Sequence, residues 1–257
     1  MQLEVGQATN VGMIRPGNED SLHTDVRSGL FVVADGMGGH AAGEVASEMA
    51  VGIIADELRS VKDIDDGVIA LVSQAMKRAN LAIFERTLTE VDKQGMGTTA
   101  SVLILRDGKY LIGQVGDSRV YLLREGVLHQ LTKDHSYVQE QVDAGFLTPE
   151  QARYHPYSNV ITRCVGASAD VEPDTYTGPV KQGDLYLVAS DGLTGMVDDR
   201  RLQALMKPTI NSQRIVDLLI SEANGRGGLD NITAIVVKIV SIDGDKQITQ
   251  ETDAVST

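Results

Sequence analysis

The sequence predicts an α+β protein in which helices pack on the outside of antiparallel sheets. Short apolar segments are separated by hairpin turn signals, which is typical of antiparallel strands. The clearest amphipathic helices form an adjacent pair and do not alternate with strands, as they would around a parallel sheet. The chain has 257 residues and 26 glycines, which suits one main domain with many tight turns.

The helix pair comes early in the chain. Apolar residues repeat at helical spacing over residues 42–60, and a second stripe of this kind runs over residues 67–86. Asp65 or Asp66 is the expected N-cap of the second helix, because a short carboxylate side chain can accept from the free N–H groups of the first turn. Nothing resembling a strand lies between the two stripes, so we expect the helices to pack side by side.

Strands are predicted in the middle and at the end of the chain. The turns Arg106-Asp107-Gly108-Lys109 and Arg124-Glu125-Gly126 indicate two hairpins. The expected strands and connecting segments are 98–105 with 110–115, 119–123 with 127–131, a helical or irregular stretch at 136–157, strands near 171–177 and 185–189, a helix at 212–223 and a strand at 232–240.

Composition excludes several classes of function. Lys and Arg number 23 against 36 Asp and Glu, a net charge of −13 that argues against binding nucleic acid or an anionic membrane surface. The single cysteine allows no internal disulfide and no cysteine-based zinc site. No apolar run approaches the roughly 18 residues of a membrane span. We therefore expect a cytoplasmic protein that is not inserted in a membrane.

Several aspartates stand where apolar segments begin or end. Asp35 follows residues 30–34, Asp191 follows 185–189, Asp230 opens the last strand, Asp117 joins two strands and Asp20 ends an N-terminal motif; these five acids share that placement. Each alone is an ordinary turn residue. Together, carboxylates directed to one point would repel one another unless cations bound between them, and oxygen ligands favour Mg²⁺ or Mn²⁺.

A pair of hard divalent cations indicates phosphoryl chemistry, because two ions can clamp a phosphate and activate water. Arg15 lies in the same N-terminal motif as Asp20 and has the forked cation that a phosphate prefers. By itself Arg15 would more simply be an exposed salt-bridge residue.

The ordered set of motifs resembles the metal-dependent serine/threonine protein phosphatases of the protein phosphatase 2C type, in particular the bacterial single-domain members. The matching segments are Gly12-x-x-Arg15-x-x-Asn18-Glu19-Asp20, Val33-Ala34-Asp35-Gly36-Met37-Gly38-Gly39-His40, Gly95-Met96-Gly97-Thr98-Thr99, Gly116-Asp117-Ser118-Arg119, Ser190-Asp191-Gly192-Leu193 and Gly227-Gly228-x-Asp230-Asn231-x-Thr233. Any one of these is weak evidence, whereas all six in the family's order are specific.

The resemblance implies a four-layer α-β-β-α sandwich and a metal-dependent hydrolysis of phosphoserine and phosphothreonine by a metal-bridging hydroxide. It implies two Mn²⁺ or Mg²⁺ ions with a possible third. By this resemblance Asp35 bridges two ions, the Gly36 carbonyl binds one of them, and Asp191 and Asp230 complete the protein ligands of the second. Glu19 and Asp20 act at the same centre largely through bound waters, Asp117 with Asp191 holds the third ion, and Arg15 binds the substrate phosphate.

One position departs from the family pattern. Met37 stands where many eukaryotic relatives have a histidine proposed as general acid, and methionine cannot donate a proton. The proton must then come from metal-bound water or from another group. His40 is the nearest ionisable candidate, and its alternative interpretation is a residue at the start of a helix with no catalytic role. The remaining histidines are expected on the surface or in the flap.

The resemblance also suggests the domain organisation and partners. Residues 1–240 are expected to form the catalytic domain, with a flap at about 135–166, and residues 241–257 to form a polar, flexible tail. The expected partners are phosphorylated proteins, including a bacterial Ser/Thr kinase that the enzyme opposes, and the expected state is a monomer.

Three alternative functions fit the sequence less well. A catalytically silent phosphatase-like module that binds phosphoproteins should have lost its ligands, yet all five aspartates are present. Residues 36–41 fit a dinucleotide-binding Gly-x-Gly-x-x-Ala pattern, but a second helix, and not a parallel strand, follows the first. Cys164 lacks the downstream arginine of a cysteine-dependent phosphatase, so it is more simply a small buried residue.

Overall fold

Two antiparallel sheets lie face to face, and each carries helices on its outer side. This is the arrangement in the computed structural model, which describes residues 1–38, 42–61 and 63–242. The predicted α+β sandwich is confirmed. The part of the predicted tail beyond residue 242 lies outside the described residues.

The first sheet has five strands. In spatial order they are β1 (Gln2–Asn10), β11 (Ile232–Ser241), β10 (Leu185–Ala189), β7 (Arg119–Arg124) and β8 (Val127–Gln130). The middle strand β10 is buried along its whole length, which explains why its sequence is continuously apolar and does not alternate.

The second sheet also follows one antiparallel path. Its strands in spatial order are β2 (Asp20–Asp25), β3 (Leu30–Met37), β5 (Ala100–Arg106), β6 (Lys109–Val115) and β9 (Asp174–Pro179), with the short β4 (Gly97–Thr98) paired to the end of β3. The chain passes from this sheet to the first through the Gly116-Asp117-Ser118 connection between β6 and β7.

Helices cover the outer faces. The predicted pair is α1 (Ala42–Leu58) and α2 (Asp66–Thr89), and Asp65 caps α2 by accepting from the Val68 N–H. On the first sheet lie α5 (Asp191–Thr194), α6 (Asp199–Leu205) and α7 (Ser212–Gly225), while α3 (Tyr137–Asp143) and α4 (Pro149–Arg153) belong to the connection between β8 and β9.

The apolar residues form three core layers, and these create the sandwich. One lies between the α1–α2 pair and the second sheet, one between the two sheets, and one between the first sheet and α5–α7. Burial of apolar surface in three layers holds both sheets in fixed positions, so residues at their ends are placed on a rigid frame. No helix in the described residues is long and apolar enough to cross a membrane.

Both predicted hairpins are present, and their turns have the expected backbone. Asp107 and Gly108 have φ of 47° and 69°, and Glu125 and Gly126 have φ of 53° and 82°, the left-handed pair of a two-residue hairpin loop. The strand expected near 171–177 begins three residues later, at Asp174. β1 was not anticipated, because as an edge strand it alternates only weakly between apolar and polar residues.

Candidate metal centre

Five aspartates lie at one end of the sandwich, where the two sheets meet. We call Asp20, Asp35, Asp117, Asp191 and Asp230 the carboxylate cluster. Asp35 lies two residues before the end of β3 and Asp20 begins β2. Asp191 follows β10, Asp230 precedes β11 and Asp117 lies between β6 and β7. Antiparallel pairing brings these strand ends together, since Ala189 is the register partner of both Ala234 and Arg119.

Asp20 and Asp35 are direct register partners across β2 and β3. Burial raises the pKa of Asp20 to about 7. Hydrogen bonds to the carboxylate oppose this rise, and the charges of neighbouring carboxylates add to it. Burial and then the charge of Asp20 hold the pKa of Asp35 well above its usual range. Two carboxylates this close cannot both be ionised at low cost unless a cation compensates them.

Asp191 and Asp117 extend this charge accumulation. Burial raises the pKa of the Asp191 carboxyl, which lies within hydrogen-bond reach of Asp35. Burial and then the charge of Asp191 hold the pKa of Asp117 well above its usual range, against the opposing effect of Arg119. Asp20, Asp35, Asp117 and Asp191 are therefore electrostatically connected to one another.

Hydroxyl groups fix the carboxylate-bearing strand ends. Ser190 donates from Oγ to Asp20 Oδ2 at 2.8 Å and accepts from the Thr233 N–H at 3.0 Å, which ties β2 to the first sheet. Thr99 Oγ1 accepts from the Asp35 N–H at 2.9 Å and lies 2.7 Å from Ser118 Oγ. In the sequence these hydroxyl residues stand out only as members of motifs, because their contacts join segments distant in the chain.

Arg15 reaches the cluster from a loop at its rim. Its Nη2 donates to Asp230 Oδ2 at 2.7 Å, and both side chains keep substantial exposure. This hydrogen bond, the largest effect on the group, raises the pKa of the Arg15 guanidinium. The structure therefore places the predicted phosphate residue directly beside a predicted metal ligand.

Asn231 holds the Arg15 loop in place. Its Nδ2 donates to the carbonyls of Val11 and Gly17, both at 2.9 Å, and its Oδ1 accepts from the Glu19 N–H at 2.8 Å. One side chain thus fixes the loop on both sides of Arg15. The Asp-Asn dipeptide at the start of the last strand was the available sequence signal.

Glu19 and Gly36 lie beside the cluster, against the first turn of α1. The Gly36 N–H donates to the Glu19 carbonyl at 3.1 Å. A Cβ on Gly43 would lie 2.8 Å from Glu19 Cδ, and one on Gly36 would lie 2.1 Å from the Gly43 carbonyl oxygen. Only glycine at both positions lets the Glu19 segment and the first turn of α1 lie this close together. Burial raises the pKa of Glu19.

His135 stands at the start of the predicted flap, and its burial was not predicted from the sequence. Its ring Nδ1 accepts from the Gly116 N–H at 3.1 Å, and the backbone N–H of His135 donates to the Gly116 carbonyl at 2.9 Å. Asp174 Oδ2 lies 3.1 Å from Nε2. Because Nδ1 accepts a hydrogen bond, the neutral imidazole carries its proton on Nε2. His135 therefore clamps the residue immediately before Asp117.

Of two other residues considered for the reaction, the structure describes Cys164 but not His40. His40 lies outside the described residues, so the predicted general acid has no structural account here. Cys164 is half-buried, and burial followed by the charge of Asp117 raises the pKa of its thiol. A thiol held in its protonated form is a poor nucleophile, in keeping with the rejection of a cysteine-dependent mechanism.

The donor set of the cluster fits hard divalent cations. Asp20 Oδ1, Asp117 Oδ1 and Asp191 Oδ1 are buried and accept no hydrogen bond. Such oxygens are stabilised by a cation, and an oxygen-only set suits Mg²⁺ or Mn²⁺. Within residues 1–38, 42–61 and 63–242, no group of three or more His, Cys, Asp or Glu side chains is already positioned to hold a metal ion. An open, partly hydrated arrangement is normal for Mg²⁺, which keeps several waters.

Comparison with known proteins gives consistent matches over most of the chain. The sequence profile of the family described as Protein phosphatase 2C matches residues 16–219. The chain is 37% identical over 235 residues to the serine/threonine phosphatase stp of Listeria monocytogenes serotype 4b, covering 90% of this chain and 93% of that protein.

Solved structures agree. The crystal structure of the Mycobacterium tuberculosis serine/threonine phosphatase PstP/Ppp superposes with a TM-score of 0.88 at 35% identity, covering 94% of this chain and 100% of that one. The PstP catalytic domain in complex with two manganese ions superposes with a TM-score of 0.84 at 35% identity, covering 93% of this chain and 99% of that one.

Proposed function

The chain belongs to the protein phosphatase 2C family, and we propose that its carboxylate cluster is the centre at which it hydrolyses phosphoserine and phosphothreonine in proteins. Its relatives are named serine/threonine phosphatases, and one of them holds two manganese ions. The chain is accordingly a metal-dependent protein serine/threonine phosphatase, and its substrates are phosphoproteins.

One observation supports this site above all others. Three buried carboxylate oxygens, on Asp20, Asp117 and Asp191, lack a hydrogen-bond donor at the same end of the sandwich. They come from three distant segments, so the convergence is a property of the fold and not of one acidic stretch. A module that only bound phosphoproteins would gain nothing from gathering these charges.

Within this proposal, each acid of the site has a particular role in binding the metal ions. Asp35 would hold both Mn²⁺ or Mg²⁺ ions and the Gly36 carbonyl one of them, with Asp191 and Asp230 on the second. Glu19 and Asp20 would act through water, and Asp117 with Asp191 would hold a third. Bound ions supply positive charge to the phosphate and lower the pKa of water at the site.

Arg15 would bind the substrate phosphate. Its half-exposed guanidinium is bonded to Asp230 at the rim, so it can exchange one carboxylate oxygen for a phosphate oxygen without crossing the core. Asn231 orients the loop, and the bidentate geometry of arginine suits a phosphate monoester. Ser190 keeps Asp20 in position while the substrate binds.

The leaving serine or threonine oxygen needs a proton, for which His40 and a water held at the carboxylate cluster are the two candidate donors. Met37 offers no ionisable group at the alternative position. The imidazole is suited to this role because its ordinary pKa lies close to neutral pH.

The wider context belongs to the same proposal. A phosphatase of phosphoserine and phosphothreonine requires a Ser/Thr kinase to make its substrates, and we propose that this enzyme opposes one in the bacterial cytoplasm, as a monomer. We propose further that residues 1–240 form the catalytic domain, with residues 135–166 as its flap and 241–257 as a tail. His135 and the α3–α4 pair give the flap segment a fixed base beside Asp117.

Phosphate release tests the activity. The full chain is incubated with a phosphothreonine peptide or p-nitrophenyl phosphate in Mn²⁺, in Mg²⁺, and in EDTA. We expect release that depends on the metal and disappears in EDTA. Absence of turnover with either metal, from folded protein that still binds the phosphopeptide, would establish the silent binding module instead.

A further inference from the structure

Exposed apolar side chains surround Arg15 on two neighbouring loops. Met13 and Ile14 are each 66% exposed, Leu229 is 56% exposed and Val11 is 36% exposed. Single exposed apolar residues are normal on a protein surface, but four within residues 11–14 and 227–230 form a patch. We call these four residues the apolar rim.

The two loops are tied together, so the rim has a fixed backbone. The Met13 N–H donates to the Gly228 carbonyl at 2.7 Å, and Arg15 bonds Asp230 two residues further along each loop. A Cβ on Gly228 would lie 2.8 Å from Met13 Cγ, and Gly228 has a φ of 50°. Only glycine fits at position 228, and its lack of a side chain lets Met13 pack against the second loop.

The rim is continuous with the proposed phosphate site. Ile14 precedes Arg15 and Leu229 precedes Asp230, and consecutive Cα atoms are about 3.8 Å apart. An extended peptide advances about 3.3–3.6 Å per residue, so a residue one or two positions from a phosphothreonine held at Arg15 reaches the rim. Folding alone gives no reason for apolar side chains to remain exposed at this place.

Charge also favours an apolar occupant. Within residues 11–15 and 227–230 the charged side chains are Arg15 and Asp230, which are paired with each other. The rim thus offers no free charge to recognise acidic or basic side chains, and the chain's net charge of −13 disfavours acidic segments.

We propose that the apolar rim is a substrate-docking surface that selects phosphoproteins with a large apolar residue next to the phosphorylated serine or threonine. This inference rests on the proposed function, because the phosphate at Arg15 sets the register of the substrate. Its occupant is the substrate chain itself, and its effect is on specificity.

The test uses a set of phosphothreonine peptides that differ only in the residues flanking the phosphothreonine. Leucine, alanine or aspartate occupies those positions, and kcat/KM is measured with Mn²⁺ for the wild-type chain and for Ile14→Ser and Leu229→Ser. Leu88→Ser is the matched control, since Leu88 is 69% exposed on α2. p-Nitrophenyl phosphate, which has no flanking residues, is assayed beside the peptides.

We expect the wild-type chain to favour leucine over alanine by about tenfold in kcat/KM, the scale of one apolar pocket. Each rim variant should lose most of this preference and keep its p-nitrophenyl phosphate activity, while Leu88→Ser behaves as wild type. The proposal would be overturned if the wild-type kcat/KM were the same whichever residues flank the phosphothreonine. It would also be overturned if the rim variants kept the preference for leucine, or lost activity equally on the peptides and on p-nitrophenyl phosphate.

Two further outcomes are separable. If sedimentation shows a dimer that Ile14→Ser converts to a monomer, the rim is an interface between copies and the proposal is wrong. If the wild-type chain releases no phosphate from any substrate, the proposed function fails. The rim is then tested by fluorescence anisotropy with the same peptides, where equal binding of the leucine and alanine peptides would overturn it.

Discussion

Asp20 and Asp35 face each other as register partners at the open ends of β2 and β3, and burial raises the pKa of both carboxyl groups. The fold brings together two acids that repel when ionised. Such an arrangement is stabilised by a proton or by a cation between the carboxylates.

The first prediction concerns the stability of the metal-free protein against pH. The pKa of Asp20 is about 7 in the folded chain and lower when unfolded, so the folded state binds the extra proton. The stabilisation from the proton on folded Asp20 is present at low pH and is lost as pH rises from about 4 to 7. Thermal unfolding in EDTA should therefore give a Tm that falls across this range, apart from general acid denaturation.

The Asp20→Asn variant provides the matching comparison. An amide carries no charge, so Tm in EDTA should be higher than wild type at pH 8 and depend less on pH. Asp92→Asn, at an exposed position, should change neither property. A variant that is less stable than wild type at pH 8 would show that the ionised carboxylate stabilises the fold.

The second prediction concerns the central ligands. Asp35→Asn and Asp191→Asn should each lower kcat by about 100-fold or more, because each removes an anionic group that stabilises bound cations. Tm in EDTA should stay equal or rise, since charge repulsion decreases. Mn²⁺ affinity is measured by calorimetry. Normal affinity and activity in both variants would remove these residues from the metal centre.

The third prediction concerns Arg15. Replacing it by alanine removes charge-assisted hydrogen bonds to the phosphate, so KM for phosphate esters should rise by about tenfold or more. Steady-state kinetics separates this from a change in kcat. Arg59→Ala, at an exposed ion pair on the outer helix layer, is the control. An unchanged KM in Arg15→Ala would place the phosphate elsewhere.

The fourth prediction concerns His135. His135→Ala leaves the Gly116 N–H buried without an acceptor, which should destabilise the protein by about 1–3 kcal/mol in urea unfolding. The effect should extend to Mn²⁺ binding because Gly116 precedes Asp117. The exposed His129 offers a control, and equal stability of the two alanine variants would contradict the clamp.

The fifth prediction concerns Cys164. Because burial and Asp117 raise the pKa of its thiol, it should take no part in the reaction. Cys164→Ser should keep kcat within about twofold of wild type, and alkylating reagents should not inhibit the wild-type enzyme. Loss of activity on alkylation that the serine variant escapes would reopen a role for this residue.

Local patterns predicted the parts of the fold that depend on neighbours in sequence. The helix stripes, the Asp-Gly and Glu-Gly hairpin turns and the apolar run of β10 all carry their signal within a few residues. β1 was not predicted because an edge strand needs no strong apolar face and because its partner β11 lies at the other end of the chain.

Local patterns also located the acids but not their relationships. Asp35, Asp191 and Asp230 were marked by strand ends, whereas the Ser190–Asp20 bond spans 170 residues and the Arg15–Asp230 pair spans 215. The burial of His135 was hidden for the same reason, since it depends on Gly116 and Asp174. Such contacts follow from the topology of two packed sheets, which the order of elements alone does not determine.

The central claim is that the carboxylate cluster binds the catalytic cations. Crystals of the full chain soaked in Mn²⁺ can be measured at the manganese absorption edge, where anomalous peaks locate the ions directly. We predict at least two peaks within coordination distance of Asp35, Asp191 and Asp230. Peaks confined to other acidic surfaces, or none at this end of the sandwich in protein that hydrolyses phosphopeptides, would contradict the account.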